Sequence, residues 1–140
     1  MTVRRSISWI LNFVDNLPND EERIKCLRAN DHPSIRLILQ GAFHPHIVWD
    51  LPEGDPPYKP CEYPHIDNML WTETRRLYLF TVGGSPNLKP LKRESMYIDL
   101  LESVTPEDAK LLLAIKNKCL PYKNVTKLLV TQAFPGLIPK

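Results

Sequence analysis

Several features that would assign a chain to a functional class are scarce or absent in this sequence. Only three cysteines occur, Cys26, Cys61 and Cys119, and their wide spacing matches neither a disulfide framework nor a CxxC metal motif. No apolar run approaches the roughly 18 residues of a membrane span. The formal net charge of +2 is too small to indicate a nucleic acid or an anionic membrane as the partner. We therefore expect free thiols, a reducing cytosolic setting and no membrane partner.

Motifs of catalysis and of targeting are missing as well. The sequence contains no GxSxG, HExxH or Walker-type loop, and its single Gly83-Gly84 pair is typical of a turn. Cys119 follows a predicted helix, where the dipole disfavours a thiolate, and its apolar neighbours predict a core position. Near the N-terminus, "SISWILNFVDN" reaches Asn and Asp too early for the apolar region of a signal peptide. We predict a protein that is not an enzyme and needs no cofactor.

What the sequence does contain is ordinary globular composition and helical periodicity. Of its 140 residues, 43% are hydrophobic and 24% are charged, which is typical of a chain with a packed core. In "SISWILNFVDN", Ile7, Ile10, Leu11 and Val14 fall at i, i+3, i+4 and i+7 and form one apolar stripe. The length and this patterning predict a mainly α fold with a single compact domain over residues 1–140.

Caps and prolines mark the other helices. Residues 1–42 are predicted to hold three short helices, the third beginning after Asp31 as its N-cap. Residues 66–140 hold the rest: "MLWTETRRLYLF" is helical in pattern, although "LYLFTV" also suits a short strand. "LKRESMYIDLLESV" places Leu91 on its apolar face, and "TPEDAKLLLAIKNKCL" has Thr105 as a clear N-cap. We expect six or seven short helices.

Residues 43–65 form a long, proline-rich extended segment between the two helical groups. They hold six of the fourteen prolines, and each proline removes a backbone donor and biases the preceding residue towards extended geometry. Such a long connection is uncommon unless it is functional or packed down. It carries a net charge of −3, against +4 for residues 105–140. We interpret these as solvated faces that partly complement each other, with an acidic partner for the C-terminal face as the alternative.

Histidine and cysteine also cluster in this segment. His44, His46, Cys61 and His65 are residue types that bind zinc. Neither the His-Pro-His spacing nor the Cys-x3-His spacing is a recurrent zinc pattern, and the rigid proline makes chelation by both His44 and His46 awkward. We predict no metal site, and these four residues are its weak candidates.

A second group of residues is suited to nucleic acid. Arg75, Arg76, Lys92 and Arg93 form a basic patch within residues 75–93 that could contact phosphates. Nearby aromatic residues that could stack on bases are Trp71, Tyr78 and Tyr97. Glu73, Glu94, Asp99 and Glu102 lie among or beside these residues, so residues 73–102 carry a net charge of only +1.

Protein binding is the function that the proline-rich segment suits best. "PPYKP" favours polyproline II geometry, which loses little entropy on docking and presents Tyr58 and Lys59 at fixed orientation. Trp49 and Tyr63 are amphipathic aromatics of the kind enriched in interfaces. The alternative is an ordered strap, in which Trp49, Tyr58 and Tyr63 fold against the protein's own core.

Several blocks together resemble a known family: "LPEGDPPYKP", "RRLYLF", "LKPLKRESMYIDLLESVTPEDAKLLLAIKNK" and "VTKLLVTQAFPGLIP". In their order and spacing, from roughly Ile35 to the C-terminus, they are similar to a family of small uncharacterised proteins of T-even-like tailed phages, especially those of marine cyanobacteria. The resemblance implies a viral protein that acts in the host bacterial cytoplasm or is carried in the virion. It implies no catalytic residue, because the family is a domain of unknown function.

The predicted function is therefore that of a non-enzymatic phage accessory protein. It binds a host or phage protein through Trp49, Tyr58, Lys59 and Tyr63. The alternatives are nucleic-acid binding through residues 75–93 and a minor structural role in the virion.

Overall fold

Helices begin where the sequence supplies a capping side chain. The computed structural model describes residues 5–52, 54–61, 69–84 and 86–138. Within them lie seven α-helices and one 3₁₀ helix. The α-helices are α1 (Ile7–Asp15), α2 (Asp20–Ala29), α3 (Pro33–Phe43), α4 (Met69–Glu73), α5 (Pro90–Ser103), α6 (Pro106–Lys116) and α7 (Lys127–Ala133), and the 3₁₀ helix is Thr74–Phe80. The predicted mainly α fold is confirmed.

The caps follow the predicted chemistry at most helix starts. The hydroxyl of Ser6 accepts the N–H of Trp9 at 3.2 Å, and that of Thr105 accepts the N–H of Asp108 at 3.0 Å. At α3 the predicted cap, Asp31, is wrong. Because Pro33 takes the first helical position, His32 is the cap, and its Nδ1 accepts the N–H of Ser34 at 3.0 Å.

Helix α6 forms the centre of the protein. Its buried residues lie on nearly all sides, and it packs against α1, α3 and α5, while α2 packs against α7. The largest fully buried side chains of α6 are Leu111, Leu112 and Ile115. Removing these large apolar side chains from water is the main stabilising contribution to the domain.

Two predicted core positions are wrong. Leu91 is 80% exposed, because it lies in the first turn of α5, whose buried row runs through Arg93, Tyr97, Leu100 and Leu101. Cys119 is exposed, because α6 ends at Lys116 and the chain turns outward at Lys118, which has a φ of 55°.

Between α4 and α5 the chain changes its helical period. The buried side chains of the 3₁₀ helix, Thr74, Leu77 and Phe80, are spaced by three residues, as its geometry requires. The chain then becomes extended, and Thr81 forms an isolated antiparallel bridge with Trp49. The short strand that "LYLFTV" could also form is therefore reduced to this bridge. No helix among the described residues is both long and apolar enough to cross a membrane.

Candidate functional site

The proline-rich segment is held along helix α5. We call its described part, residues 44–52 and 54–61, the strap. Near its start, Asp50 forms an ion pair with Arg93 at 3.1 Å, and near its end the N–H of Lys59 donates to a carboxylate oxygen of Glu102 at 2.7 Å. Arg93 and Glu102 lie nine residues apart on α5, or about 14 Å along the helix axis. The strap therefore runs beside α5 for most of the helix.

Two lysines at the end of α6 hold the strap through its carbonyl groups. Lys116 donates from Nζ to the carbonyl oxygens of Pro52, at 2.9 Å, and of Gly54. Lys118 donates to the carbonyl oxygen of His44 at 3.0 Å, and burial lowers the pKa of its amine. Extended, proline-rich backbone leaves carbonyl oxygens without helical partners, and these ammonium groups satisfy them. Lys116 and Lys118, two lysines of the basic residues 105–140, thus contact backbone oxygens of the acidic, proline-rich segment.

The aromatic side chains of the strap are turned towards the body of the protein. Trp49 donates from Nε1 to the carbonyl oxygen of Gly41 at 3.0 Å, and its ring lies so close that a Cβ at position 41 would stand 2.8 Å from Cζ2. Tyr58 is partly buried against the same core. The strap exposes other side chains instead, among them Val48, which is 53% exposed, and Lys59. The structure therefore supports the alternative of a packed strap for Trp49 and Tyr58.

The remaining candidates of the proline-rich segment are Tyr63 and the four weak metal candidates. Tyr63 and His65 lie outside the described residues. His44 and His46 are adjacent, with ring centroids 5.6 Å apart, but Nδ1 of His44 accepts the N–H of His46 at 3.1 Å. Cys61 is half-buried. Among the residues that the structure describes, no group of three or more His, Cys, Asp or Glu side chains is placed to hold a metal ion.

One of the four residues predicted to form the basic patch for nucleic acid is buried. Arg93 is 4% exposed, and its guanidinium donates to the carbonyl oxygens of Leu79 and Leu88, each at 3.1 Å, besides its ion pair with Asp50. It therefore cannot reach a phosphate, and its assignment to the patch is wrong. A guanidinium nitrogen of Arg76 lies 3.6 Å from a carboxylate oxygen of Glu73, with which it forms an ion pair. Arg75 and Lys92 are exposed, as predicted for a binding surface.

The three aromatic candidates for base stacking differ in their exposure to solvent. Trp71 is 9% exposed and Tyr97 is 3% exposed, so neither offers a ring face to a ligand. Burial, followed by the nearby Asp55 and Tyr58, raises the pKa of Tyr97 above its ordinary range. Tyr78 is 57% exposed. It is therefore the one of these three rings that solvent can reach.

The sequence analysis missed an aromatic surface on helix α1. Trp9 and Phe13 are 46% and 47% exposed, and their rings stack with centroids 5.5 Å apart at an interplanar angle of 14°. The guanidinium of Arg5 lies over the Trp9 ring, 4.8 Å from its centroid. We call these three residues the α1 ridge. A signal was present, because Trp9 and Phe13 fall outside the apolar stripe of Ile7, Ile10, Leu11 and Val14.

Grooves lie on both sides of the α1 ridge. The larger one, of about 640 Å³, has apolar walls from α6 and the chain that follows it, including Leu111, Ala114 and Pro121, and carries Glu107 and Lys110 at its edge. The smaller one, of about 320 Å³, reaches from Trp9 to Trp71. The ridge therefore stands as an aromatic projection between two concave surfaces, which is a shape suited to contact with another molecule.

Buried polar groups hold the ridge in place. The carboxylate of Asp108, which is fully buried, accepts the N–H of Ser8 in the first turn of α1 at 3.0 Å. Tyr122 donates to the carbonyl oxygen of Ser8 at 3.3 Å, and Trp71 donates from Nε1 to that of Arg5 at 2.8 Å. Burial, and then the nearby Asp108 and Asp15, raise the pKa of Tyr122 to about 12. The exposed side of α1 thus rests on a hydrogen-bonded support of buried and partly buried groups.

Comparison with known proteins identifies a family without assigning an activity. No curated protein matches this chain. The model of a family of unknown function, DUF6433, matches residues 10–122, which include most of α1 and all of the strap, α5 and α6. The chain therefore belongs to the DUF6433 family, a family of unknown function.

Proposed function

We propose that this chain is a non-enzymatic accessory protein of a tailed phage that binds a host or phage protein in the host cytoplasm. The observation that carries the proposal is the α1 ridge, where the stacked rings of Trp9 and Phe13 are each about half exposed. The phage setting rests on the similarity of the sequence blocks from Ile35 onward to phage proteins. Trp9 and Phe13 replace the strap aromatics as the proposed contact, because Trp49 and Tyr58 are packed against the body.

Energetically, the ridge has the properties of a binding hot spot. Tryptophan, phenylalanine and arginine are enriched in protein interfaces, and tryptophan and arginine are common among the residues that dominate affinity. The stacking of Trp9 on Phe13 and the position of Arg5 over the indole already restrict the rotamers of these side chains. Binding then costs less side-chain entropy than it would for free aromatic side chains.

The charges around the ridge define the chemistry of the partner. Arg5 and Lys110 are exposed beside Trp9, whereas Glu107 is the acidic residue at the edge of the same groove. A partner segment that places an apolar side chain in the groove and a carboxylate beside Arg5 would complement this surface. We therefore expect the partner to present an acidic, partly apolar segment.

Catalysis plays no part in the proposal, since the buried polar groups of the described chain have structural roles. Asp108 accepts a helix N–H, Arg93 donates to two carbonyl oxygens, and Thr105 caps α6. Burial raises the pKa of the Cys26 thiol, which disfavours a nucleophilic thiolate at neutral pH. These groups fix the surface that is offered to the partner.

The strap supports the same proposal in a different way. Val48 and Val82 are 53% and 61% exposed, and they face each other across the bridge that Trp49 forms with Thr81, where Val82 donates its N–H to the carbonyl oxygen of Val48 at 2.8 Å. Because the strap is held by Arg93, Lys116 and Lys118, its outer edge is a pre-organised second contact. Lys59 lies further along this edge.

Capture during infection tests the proposal. The tagged chain is expressed in infected host cells, complexes are isolated with nuclease present, and the captured protein is identified, purified and titrated directly. We expect Trp9→Ala to weaken binding to the purified partner at least tenfold, as a hot-spot residue does. Leu128→Ala, a matched truncation of an exposed apolar side chain on α7, should leave affinity unchanged.

Two other results would change the assignment. If Trp9→Ala and Phe13→Ala bind the partner as tightly as the unmodified chain while Val48→Ala or Lys59→Ala weakens binding, the contact is the strap edge and the ridge is rejected. If the chain copurifies with intact particles in mass spectrometry and captures nothing from the cytoplasm, it is a structural virion component and the accessory role is rejected.

A further inference from the structure

The 3₁₀ helix at Thr74–Phe80 places a cation and an aromatic ring in one exposed column. Side chains three residues apart are eclipsed in a 3₁₀ helix, and the column of Thr74, Leu77 and Phe80 is buried at 3%, 5% and 2% exposure. Arg75 and Tyr78 form the next column. Both are exposed, Tyr78 by 57%. A guanidinium and a phenol ring therefore stand one above the other on the surface.

Arg93 joins this column to the start of α5. Its guanidinium donates to the carbonyl oxygens of Leu79 and Leu88, which fixes the end of the 3₁₀ helix beside the residues that enter α5. Lys89 and Lys92, both exposed, flank that junction. None of Arg75, Lys89 and Lys92 forms an ion pair with an acid in residues 5–52, 54–61, 69–84 or 86–138.

The acidic residues that bring the charge of the local sequence close to zero lie elsewhere or have other partners. Glu94 lines the groove beneath the strap, and Glu102 accepts the N–H of Lys59 near the opposite end of α5. Asp99 lines a different groove, between α5 and the 3₁₀ helix, which Arg76 also lines. Arg75, Lys89 and Lys92 are therefore three exposed cations that form no ion pair with a described acid, on the two chain segments that Arg93 joins beside Tyr78.

From this arrangement we infer that the surface formed by Arg75, Tyr78, Lys89 and Lys92 binds single-stranded nucleic acid. A base stacks on Tyr78, and phosphates pair with Arg75 and the two lysines. A single strand is required because base faces are accessible in it and hidden in a duplex. This activity goes beyond the proposed binding of a protein and uses no residue of the α1 ridge.

Fluorescence anisotropy with labelled oligonucleotides tests the inference on the full chain. The probes are 20-nucleotide poly(dT) and poly(U) strands and a duplex of the same length, each titrated between 25 and 200 mM salt. We expect the single strands to bind more tightly than the duplex, and affinity to fall as salt rises with a slope of about −0.7 per phosphate contact. The two single-stranded probes distinguish DNA from RNA as the preferred ligand.

Matched variants separate stacking from charge. Tyr78→Ala should weaken single-strand binding about tenfold, whereas Tyr78→Phe, which keeps the ring, should retain it. Arg75→Gln should reduce the magnitude of the salt slope by about 0.7, the contribution of one phosphate contact. Lys127→Gln removes an exposed cation on α7 and should change neither quantity. Circular dichroism confirms that each variant is folded.

Three outcomes would overturn the inference. These are the absence of an anisotropy change at 25 mM salt, equal affinity for duplex and single strands, and an equal loss on Lys127→Gln and Arg75→Gln. If no oligonucleotide binds but Tyr78→Ala abolishes capture of a nuclease-treated protein partner, the surface is a protein contact instead.

Discussion

The strap and helix α1 use aromatic residues in opposite ways. Trp49 lies in a proline-rich segment of the kind that often binds partners, yet its indole donates to the carbonyl oxygen of Gly41 and packs inward. Trp9 lies in an amphipathic helix of the kind that usually packs a core, yet its indole is 46% exposed and stacks on Phe13. The comparison shows that surrounding composition is a poor guide to which aromatic side chain is free to bind.

The physical cause of this difference is where the backbone groups of the strap and of α1 find their hydrogen-bond partners. The strap has few backbone hydrogen bonds of its own, so it is held by contacts to the body: Asp50 to Arg93, Lys116 and Lys118 to its carbonyl oxygens, and Trp49 to Gly41. Helix α1 satisfies its own backbone and packs against α2 and α6. It therefore leaves one arc, with Trp9 and Phe13, uncovered.

The largest expected effect comes from removing the inward indole. Trp49→Ala should lower the free energy of unfolding by about 3 kcal/mol, because it leaves a void against α3 and removes the hydrogen bond to Gly41. Urea denaturation measures the loss. Trp49→Phe, which keeps most of the packing and loses the hydrogen bond, should cost about 1 kcal/mol. An unchanged midpoint for Trp49→Ala would mean that the strap does not pack on the body.

The buried arginine should rank second. Arg93→Met should cost about 2–3 kcal/mol, because two carbonyl oxygens lose their donor in a buried setting. Asp50→Asn is the matched control. Its carboxylate is 50% exposed, so removing its charge should cost less than about 1 kcal/mol. Equal losses for the two variants would show that the ion pair with Asp50, and not the contacts with the carbonyl oxygens of Leu79 and Leu88, accounts for the stabilisation by Arg93.

The glycine beneath Trp49 gives a smaller but more specific effect. Gly41→Ala should cost about 1 kcal/mol, since the crowding of its Cβ against the indole costs about 1–3 kcal/mol and is partly offset by the better helix propensity of alanine. The crowding requires the indole, so the penalty should vanish in the Trp49→Ala background. A penalty that persists there would place its origin elsewhere in α3.

The pH dependence of stability reports on Tyr122, which donates to the carbonyl oxygen of Ser8 on the inner side of α1. Burial raises the pKa of Tyr122 to about 12, above its value of about 10 in an unfolded chain. The folded state therefore holds this proton more tightly, and the associated stability is complete below pH 10 and lost as the pH rises towards 12. Stability measured from pH 9 to pH 11.5 should fall less steeply in Tyr122→Phe. An identical slope would indicate that Tyr122 is hydrated.

The smallest expected change in stability belongs to the ridge. Trp9→Ala and Phe13→Ala should each alter the free energy of unfolding by no more than about 0.5 kcal/mol, because both rings are about half exposed. Thermal unfolding followed by circular dichroism measures the change. A loss comparable to that of Trp49→Ala would show that the ridge is a structural element of the domain.

The sequence predicted the elements that depend on local chemistry. The helices, the Thr105 cap and the absence of helix from residues 44–52 and 54–61 follow from residues near one another along the chain, and the described residues show all three. Charge type alone did not reveal that Arg93 is buried, because its acceptors at Leu79 and Leu88 meet it only in the folded chain. The candidate contact on α1 was missed because the stacking of Trp9 on Phe13 forms only in the folded chain, although both residues fall outside the apolar stripe.

Other misses have their own physical causes. The exposure of Tyr78 depends on the 3₁₀ helix, whose period of three residues buries Thr74, Leu77 and Phe80 and turns Tyr78 outward. The exposure of Cys119 depends on the turn at Lys118, where the chain adopts positive φ without a glycine to mark it.

Tryptophan quenching tests most directly whether Trp9 faces solvent while Trp49 faces the body. Two single-tryptophan variants are needed, one keeping Trp9 through Trp49→Phe and Trp71→Phe, and one keeping Trp49 through Trp9→Phe and Trp71→Phe. Iodide should quench Trp9 several times more strongly than Trp49 in the folded protein, and the two should become equal in urea. Stronger quenching of Trp49 than of Trp9 in the folded protein would contradict the account.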